Sequence, residues 1–217
     1  MNHIQLVEKR IFDVAMAVIG FIAAVIPFCL IAILIRTNSP GPLFFKQLRV
    51  GRHGRLFRCI KFRTMFPESE KHGSVTTAGD SRITPIGILL RKYKLDEIPQ
   101  LWNVLIGNMS FVGPRPDVPG YADRLQGDDR RILALYPGIT GPATLKFRDE
   151  ENLLAVISDP QRYNDEVIFP EKVRLNIEYV DHWSFWKDMG YIIMTIMPGF
   201  TRTVGLDRKL GLTEDRS

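Results

Sequence analysis

From Val14 to Ile35 the chain runs 22 residues without a charge. At about 1.5 Å per residue, a straight helix over this stretch matches the ~30 Å hydrocarbon core of a bilayer. Two features argue against a plain span. Pro27 stands near its middle, where it removes a helix hydrogen bond and favours a kink. Both flanks are also basic, with Lys9 and Arg10 before the run and Arg36, Lys46, Arg49, Arg52 and Arg55 after it. Positive residues stay on the cytoplasmic side, so a spanning helix should show the bias at one end only. A helix that enters, bends at Pro27 and returns to the same face satisfies both flanks. A kinked N-terminal span is the competing reading. A cleaved signal peptide fits less well, because the apolar run exceeds the usual h-region and no small-x-small site follows.

The remainder is soluble in character. With 217 residues, 45% of them hydrophobic and 24% charged, the chain is neither disordered nor fibrous and can bury a core of its own. Its net charge of +5 suggests an anionic partner such as phosphate, a lipid headgroup or nucleic acid. Cys29 and Cys59 make no disulfide framework, and no Cys/His cluster has zinc spacing. Between Arg36 and Arg63 stand eight Lys or Arg and no acid, within a strand–turn–strand pattern whose turn is Gly51 to Gly54. Taken singly, most of these cations read as headgroup contacts.

Further along, Glu68 to Asp80 reads as a polar, Gly/Thr-rich loop, and Ile83 to Gly107 as two short helices broken around Leu95 to Pro99. The segments MSFVGPRPDVPG and YPGITGPATLKF read as Pro/Gly loops, Asp123 to Leu135 as a helix, and Pro170 to Tyr179 as another. The C-terminal run HWSFWKDMGYIIMTIMPGF is too short to span and suits either an interfacial helix or a buried one. The fold class expected is α+β and mostly helical. It comprises a re-entrant helix–break–helix over 1–37, a small β-hairpin and amphipathic interfacial helices around a cytosolic catalytic core over 38–200, and a tail over 201–217.

Chemistry concentrates at Asp96 and Glu97, preceded by Arg91, Lys92 and Lys94. Helix-start chemistry accounts for such a pair in many proteins. Ile98 precedes a proline, however, and is biased away from helical angles. The alternative is specific: a carboxylate can attack phosphorus, and a second one beside it can hold Mg²⁺. Arg115 lies between two prolines, which limit where its guanidinium points and suit a phosphate clamp. A proline-stiffened surface loop is the structural alternative. No GxxxxGK[ST] loop, no GxGxxG after a strand and no serine nucleophile elbow is present.

Taken in order, KRIFD, the proline-broken apolar segment, SPGPLFFKQLRVGRHGRLFRCIKFRTM, RKYKLDEIPQLWNVLIGNMSFVGPRP and YPGITGPATL closely resemble the bacterial sugar transferase family. These are the monotopic phosphoglycosyl transferases that act on polyprenol phosphate. The resemblance runs from about Lys9 to Met197 and looks like the minimal catalytic form. It implies a re-entrant membrane helix bent at Pro27, Asp96 as nucleophile and Glu97 as Mg²⁺ ligand. It further implies substrate-phosphate binding by Arg115, Arg91, Lys61 and Arg63, and an acidic position of unassigned role at Asp188. The implied reaction moves a phosphosugar from a UDP-sugar to undecaprenyl phosphate through an aspartyl-phosphosugar, releasing UMP. That is a first membrane step of glycoconjugate or polysaccharide assembly. The implied location is the cytoplasmic face of a bacterial inner membrane, with the bilayer as partner and a homodimer possible. Two departures stand out: Ile26 precedes the bend proline where some members have Ser, and GITGPATLKFRDEENLL replaces the common GITGWAQ. The second bears on sugar or nucleotide choice. A non-enzymatic polybasic membrane adaptor explains the apolar segment and basic hairpin but leaves Asp96, Glu97 and Arg115 without a role. Nucleic acid is not an expected partner, since no helix-turn-helix, RRM or finger pattern is present.

Overall fold

The computed structural model describes residues 3–67 and 80–197. The loop expected over Glu68 to Asp80 lies almost wholly outside the described residues, as does the tail beyond 197. The apolar run forms one helix, α1 (His3–Asn38), which contains Pro27 and remains helical through it. The hairpin follows as expected, β1 (Phe44–Val50) pairing antiparallel with β2 (Leu56–Phe62) in a register of Phe45 opposite Lys61 and Val50 opposite Leu56. Its turn is a single 3-10 turn, Arg52–Gly54.

The two expected short helices are α2 (Pro85–Lys92) and α3 (Gln100–Leu105), separated by a 3-10 turn over Leu95–Glu97. Thr84 starts α2 with its hydroxyl accepting from Gly87 N, and Pro85 occupies the first turn, where its missing N–H costs nothing. Asp96 caps no helix, because Pro99 is the residue at the head of α3. The two Pro/Gly segments are more ordered than expected: β3 (Ser110–Val112) and β4 (Gly138–Thr140) form a short parallel pair. Their glycines permit it. A Cβ at Gly138 would sit 2.2 Å from Gly113 N, so only glycine lets these backbones approach so closely.

The helix expected over Asp123 to Leu135 is instead two 3-10 segments, Ala122–Arg124 and Gly127–Ala134. Gly127 at φ +57° interrupts any helix beginning at Asp123. The rest is helical: α4 (Pro142–Lys146), α5 (Glu150–Ala155), α6 (Pro160–Tyr163), a π-type turn over Asn164–Ile168, α7 (Phe169–Asp181) and α8 (Phe185–Ile196). The described residues are thus mostly helical with two small sheets, in line with the expected class.

Polar ties and one packed face dock α1 along this body. Near its start, Lys9 Nζ donates to Asp188 Oδ2 on α8 at 2.5 Å. Arg10 donates to the carbonyls of Val104 and Leu105, satisfying the C-terminal end of α3. Asp13 Oδ1 accepts from Phe111 N on β3 at 3.0 Å. Farther along, Ala17 packs with Phe57, Val104 and Met109, while Ile31 and Ile35 pack with Phe62 and Leu90. The opposite face is bare: Ile22, Ile26 and Ile33 are 71%, 73% and 60% exposed. On α8, Asp188 and Tyr191 are buried while Trp186 and Ile196 lie open, so this helix joins the core by one face and leaves an apolar face outside.

Candidate active site

Local chain geometry brings the dyad to the surface of a cavity. Lys94, at φ +56°, holds the left-handed conformation that non-glycine residues rarely adopt, and so turns the chain sharply out of α2. The 3-10 turn then presents Asp96 and Glu97. Behind it, α3 is pinned to β2 by Asn103, whose Nδ2 donates to Arg58 O at 2.8 Å and whose Oδ1 accepts from Ile60 N at 3.0 Å. This sets the neighbouring Lys61 against the dyad. Its Nζ donates to Glu97 Oε1 at 2.6 Å and stands 3.9 Å from Asp96 Oδ2. Arg115 reaches the same Glu97 oxygen, with Nη2 at 3.1 Å.

The loop carrying Arg115 is held along its backbone. Gly138 N donates to Pro114 O, Arg49 Nη1 to Pro116 O and Val50 N to Asp117 O. With prolines on both sides, the guanidinium is aimed by covalent geometry and by these bonds together.

The electrostatics separate the two carboxylates. Burial pushes Asp96 up, with Lys61 opposing and the Glu97 charge reinforcing the rise. Burial acts on Glu97 as well, but Lys61 and Arg115 outweigh it and hold that carboxyl well below the usual range. Glu97 in turn raises the Arg115 guanidinium above its ordinary value. Asp117, desolvated beside Lys172, Arg49 and Arg115, is pushed up to about 6. Asp96 Oδ1 is buried and has no hydrogen-bond partner in the protein.

These groups line a cavity of about 630 Å³, within the size range of small-molecule sites. Seven Lys or Arg and five carboxylates contribute to its wall, leaving a cationic surplus suited to a polyanion. Lys61, Arg91, Asp96, Glu97 and Arg115 all belong to it. Arg91 is engaged across the cavity by Glu151 of α5 at 2.5 Å.

Arg63 is not among the lining residues: β2 ends at Phe62, and the Arg63 guanidinium donates to Ser39 O, Ser39 Oγ and Pro40 O below the end of α1. Asp188 also lies apart, accepting from Lys9, Tyr179 and Trp183. Sequence reasoning missed Asp117, Lys172 and Asn176 as lining residues. The α7 spacing Phe169, Lys172, Asn176 would have placed the last two on one helix face. The departing segment after GITG does border the cavity, through Thr144, Phe147, Glu150 and Glu151.

The model of the bacterial sugar transferase family matches residues 4–202. The chain belongs to that family. Among curated relatives, it is 36% identical over 207 residues to the galactosyl transferase CpsE of Streptococcus agalactiae serotype III (strain NEM316), covering 90% of this chain and 42% of that protein. It is 33% identical over 209 residues to the UDP-glucose:undecaprenyl-phosphate glucose-1-phosphate transferase of Escherichia coli (strain K12), covering 92% and 42%. The UDP-N-acetylgalactosamine-undecaprenyl-phosphate N-acetylgalactosaminephosphotransferase of Aeromonas hydrophila is 37% identical over 198 residues, covering 88% and 44%. The chain therefore spans less than half the length of these relatives.

Proposed function

We propose that this sugar transferase moves a phosphosugar from a UDP-sugar to undecaprenyl phosphate, in two displacements at Asp96. The observation that carries the reading is a buried carboxylate with an unpartnered oxygen, beside a second carboxylate held by two cations, on a cavity with a cationic surplus. In the first displacement an Asp96 oxygen bonds to the phosphorus bearing the sugar, the bridging P–O bond breaks, and UMP leaves with that electron pair. In the second, an oxygen of the lipid phosphate bonds to the same phosphorus and the Asp96 carboxylate departs, giving polyprenyl diphosphosugar. Neither step requires a proton to move, so Asp96 must be anionic. Lys61 favours that state and offsets part of the burial cost. Arg115, pre-aimed by its prolines, offers a planar two-point contact to a phosphate, and Arg91 a second guanidinium once exchanged from Glu151.

Mg²⁺ suits this donor set. Magnesium binds through one or two carboxylates plus substrate phosphates rather than an all-protein cage, and no group of three or more His, Cys, Asp or Glu arranged to hold a metal occurs among the described residues. Asp96 Oδ1 is unpartnered, and both contacts to Glu97 fall on Oε1. Bound there, Mg²⁺ would neutralise phosphate charge as two anions meet.

The bare face of α1 supports membrane binding from one side. Its buried positions run from Lys9 to Ile35, about 39 Å of helix, all against the same body. A helix docked along that length does not project away from the body as a span would, and its open isoleucines call for lipid. Cysteines at Glu8 and Asn38, in a Cys29→Ser background, should label from the same side of a vesicle; labelling from opposite sides overturns the one-sided placement.

The decisive experiment for transfer mixes the protein with a UDP-sugar and no lipid acceptor. Up to one UMP per site should be released, and the peptide bearing Asp96 should gain the mass of a phosphosugar. Asp96→Asn should fold and bind membrane yet give neither signal. UMP release only when lipid phosphate is present, with no adduct on rapid quenching, would make the transfer direct.

A further inference from the structure

Two polar side chains on the cavity wall have no part in the phosphorus chemistry. Asn176, on α7, is 4% exposed and its Oδ1 has no hydrogen-bond partner in the protein. Thr144, on α4, has a buried hydroxyl in the same condition. The two helices pack against each other, and both residues line the cavity. One turn before Asn176, Lys172 donates to both oxygens of Glu150 at 2.9 and 2.7 Å, and this pair is also on the wall. Buried oxygens are almost always bonded, because leaving one unpaired costs the full desolvation of that group. Two on one wall of one cavity mark a place where a ligand supplies the partners.

Their chemistry says which part of a ligand. The Asn176 oxygen and the Glu150 carboxylate accept only, and the Thr144 hydroxyl both donates and accepts. The wall is therefore rich in acceptors and needs a group with several donors. A uracil edge offers one N–H between two carbonyls. A pyranose offers several hydroxyls, each donor and acceptor at once, and neighbouring hydroxyls can bridge an acceptor and an ammonium such as Lys172. We propose that Thr144, Glu150, Lys172 and Asn176 form the subsite for the transferred sugar, with Asn176 and Thr144 reading its hydroxyls. The inference rests on the UDP-sugar reading above and assigns the sugar's place within it. Thr144 and Glu150 fall in the segment that departs from the common GITGWAQ pattern, and the relatives described above carry names with different sugars.

The test is binding, which needs no turnover. Affinities of the purified protein for UDP and for UDP-glucose, UDP-galactose and their N-acetylated forms are measured by calorimetry, for wild type, Asn176→Leu and Thr144→Val. Wild type should bind at least one UDP-sugar more tightly than UDP. Asn176→Leu should lose about tenfold of that sugar-dependent increment, the usual scale for one hydrogen bond to a buried acceptor, while UDP affinity stays within about twofold. Because the Leu variant removes an unpartnered polar atom, its Tm should hold or rise. Equal losses for UDP and UDP-sugars would move these four residues to the nucleotide and overturn the proposal. So would unchanged affinities in both variants, or a wild type that binds UDP and every UDP-sugar alike. Selective sugar binding without any UMP release would sink the transfer reading and leave this subsite standing.

Discussion

Replacing Lys61 with Met tests whether Asp96 must be ionised to act. Lys61 Nζ lies 3.9 Å from Asp96 Oδ2. At that separation a unit pair is worth about 4 kcal/mol at an effective dielectric near 20 and about 1 kcal/mol in water. The Lys61 side chain is 21% exposed and that of Asp96 10%, so the interaction falls between these limits, at about 2 kcal/mol. Losing it should move the ionisation of Asp96 further upward, because burial and the Glu97 charge then act with less opposition. In a pH profile of kcat/KM for UMP release, the acidic limb should shift upward in Lys61→Met and far less in Lys61→Arg. Loss of a phosphate contact would add a drop that is the same at every pH, so the two effects separate on one plot. A lowered profile whose acidic limb has not moved would refute the reasoning, leaving Lys61 as a substrate contact alone.

Other outcomes follow from the same geometry. Asp117, pushed up to about 6 by burial, binds a proton more tightly folded than unfolded; its contribution to stability is complete below about pH 4 and lost as pH rises through about 6. Chemical unfolding in detergent should therefore find Asp117→Asn more stable than wild type above pH 6, with the advantage gone near pH 4. Lys94→Gly relieves a left-handed backbone worth about 1 kcal/mol, so Tm should hold or rise slightly while kcat/KM falls, because a cation beside the dyad is gone. Asp188→Leu should destabilise by about 3–5 kcal/mol, since it strands the buried Lys9 charge; pairing it with Lys9→Met should recover part of the loss in thermal unfolding.

Local chemistry explains what was legible in the sequence. An uncharged run of 22 residues suits a helix that is buried or lipid-covered, a Gly-bounded basic alternation suits a short hairpin, and the proline-flanked Arg115 has little freedom wherever it lies. The LDE context and its neighbours also carried the family, since they sit in contiguous stretches that a single chain displays whole. What the sequence left open was which of many cations do chemistry. Lys9, Arg10, Arg49 and Arg63 look alike in a basic count, yet Lys9 holds Asp188, Arg10 closes α3, Arg49 pins the Arg115 loop and Arg63 holds the turn after α1. Lys61, Arg91, Arg115 and Lys172 are the lining cations that face the cavity with a carboxylate partner there. Asn176 and Thr144 stayed hidden for a related reason: neither residue type in a helix signals function, and both matter only because α4 and α7, which carry them 32 residues apart, meet over one cavity with two oxygens unpaired. Contiguous patterns are set by neighbours along the chain. The assignment of each charge and each buried oxygen is set by what the folded body brings opposite it, and that the tertiary structure alone decided.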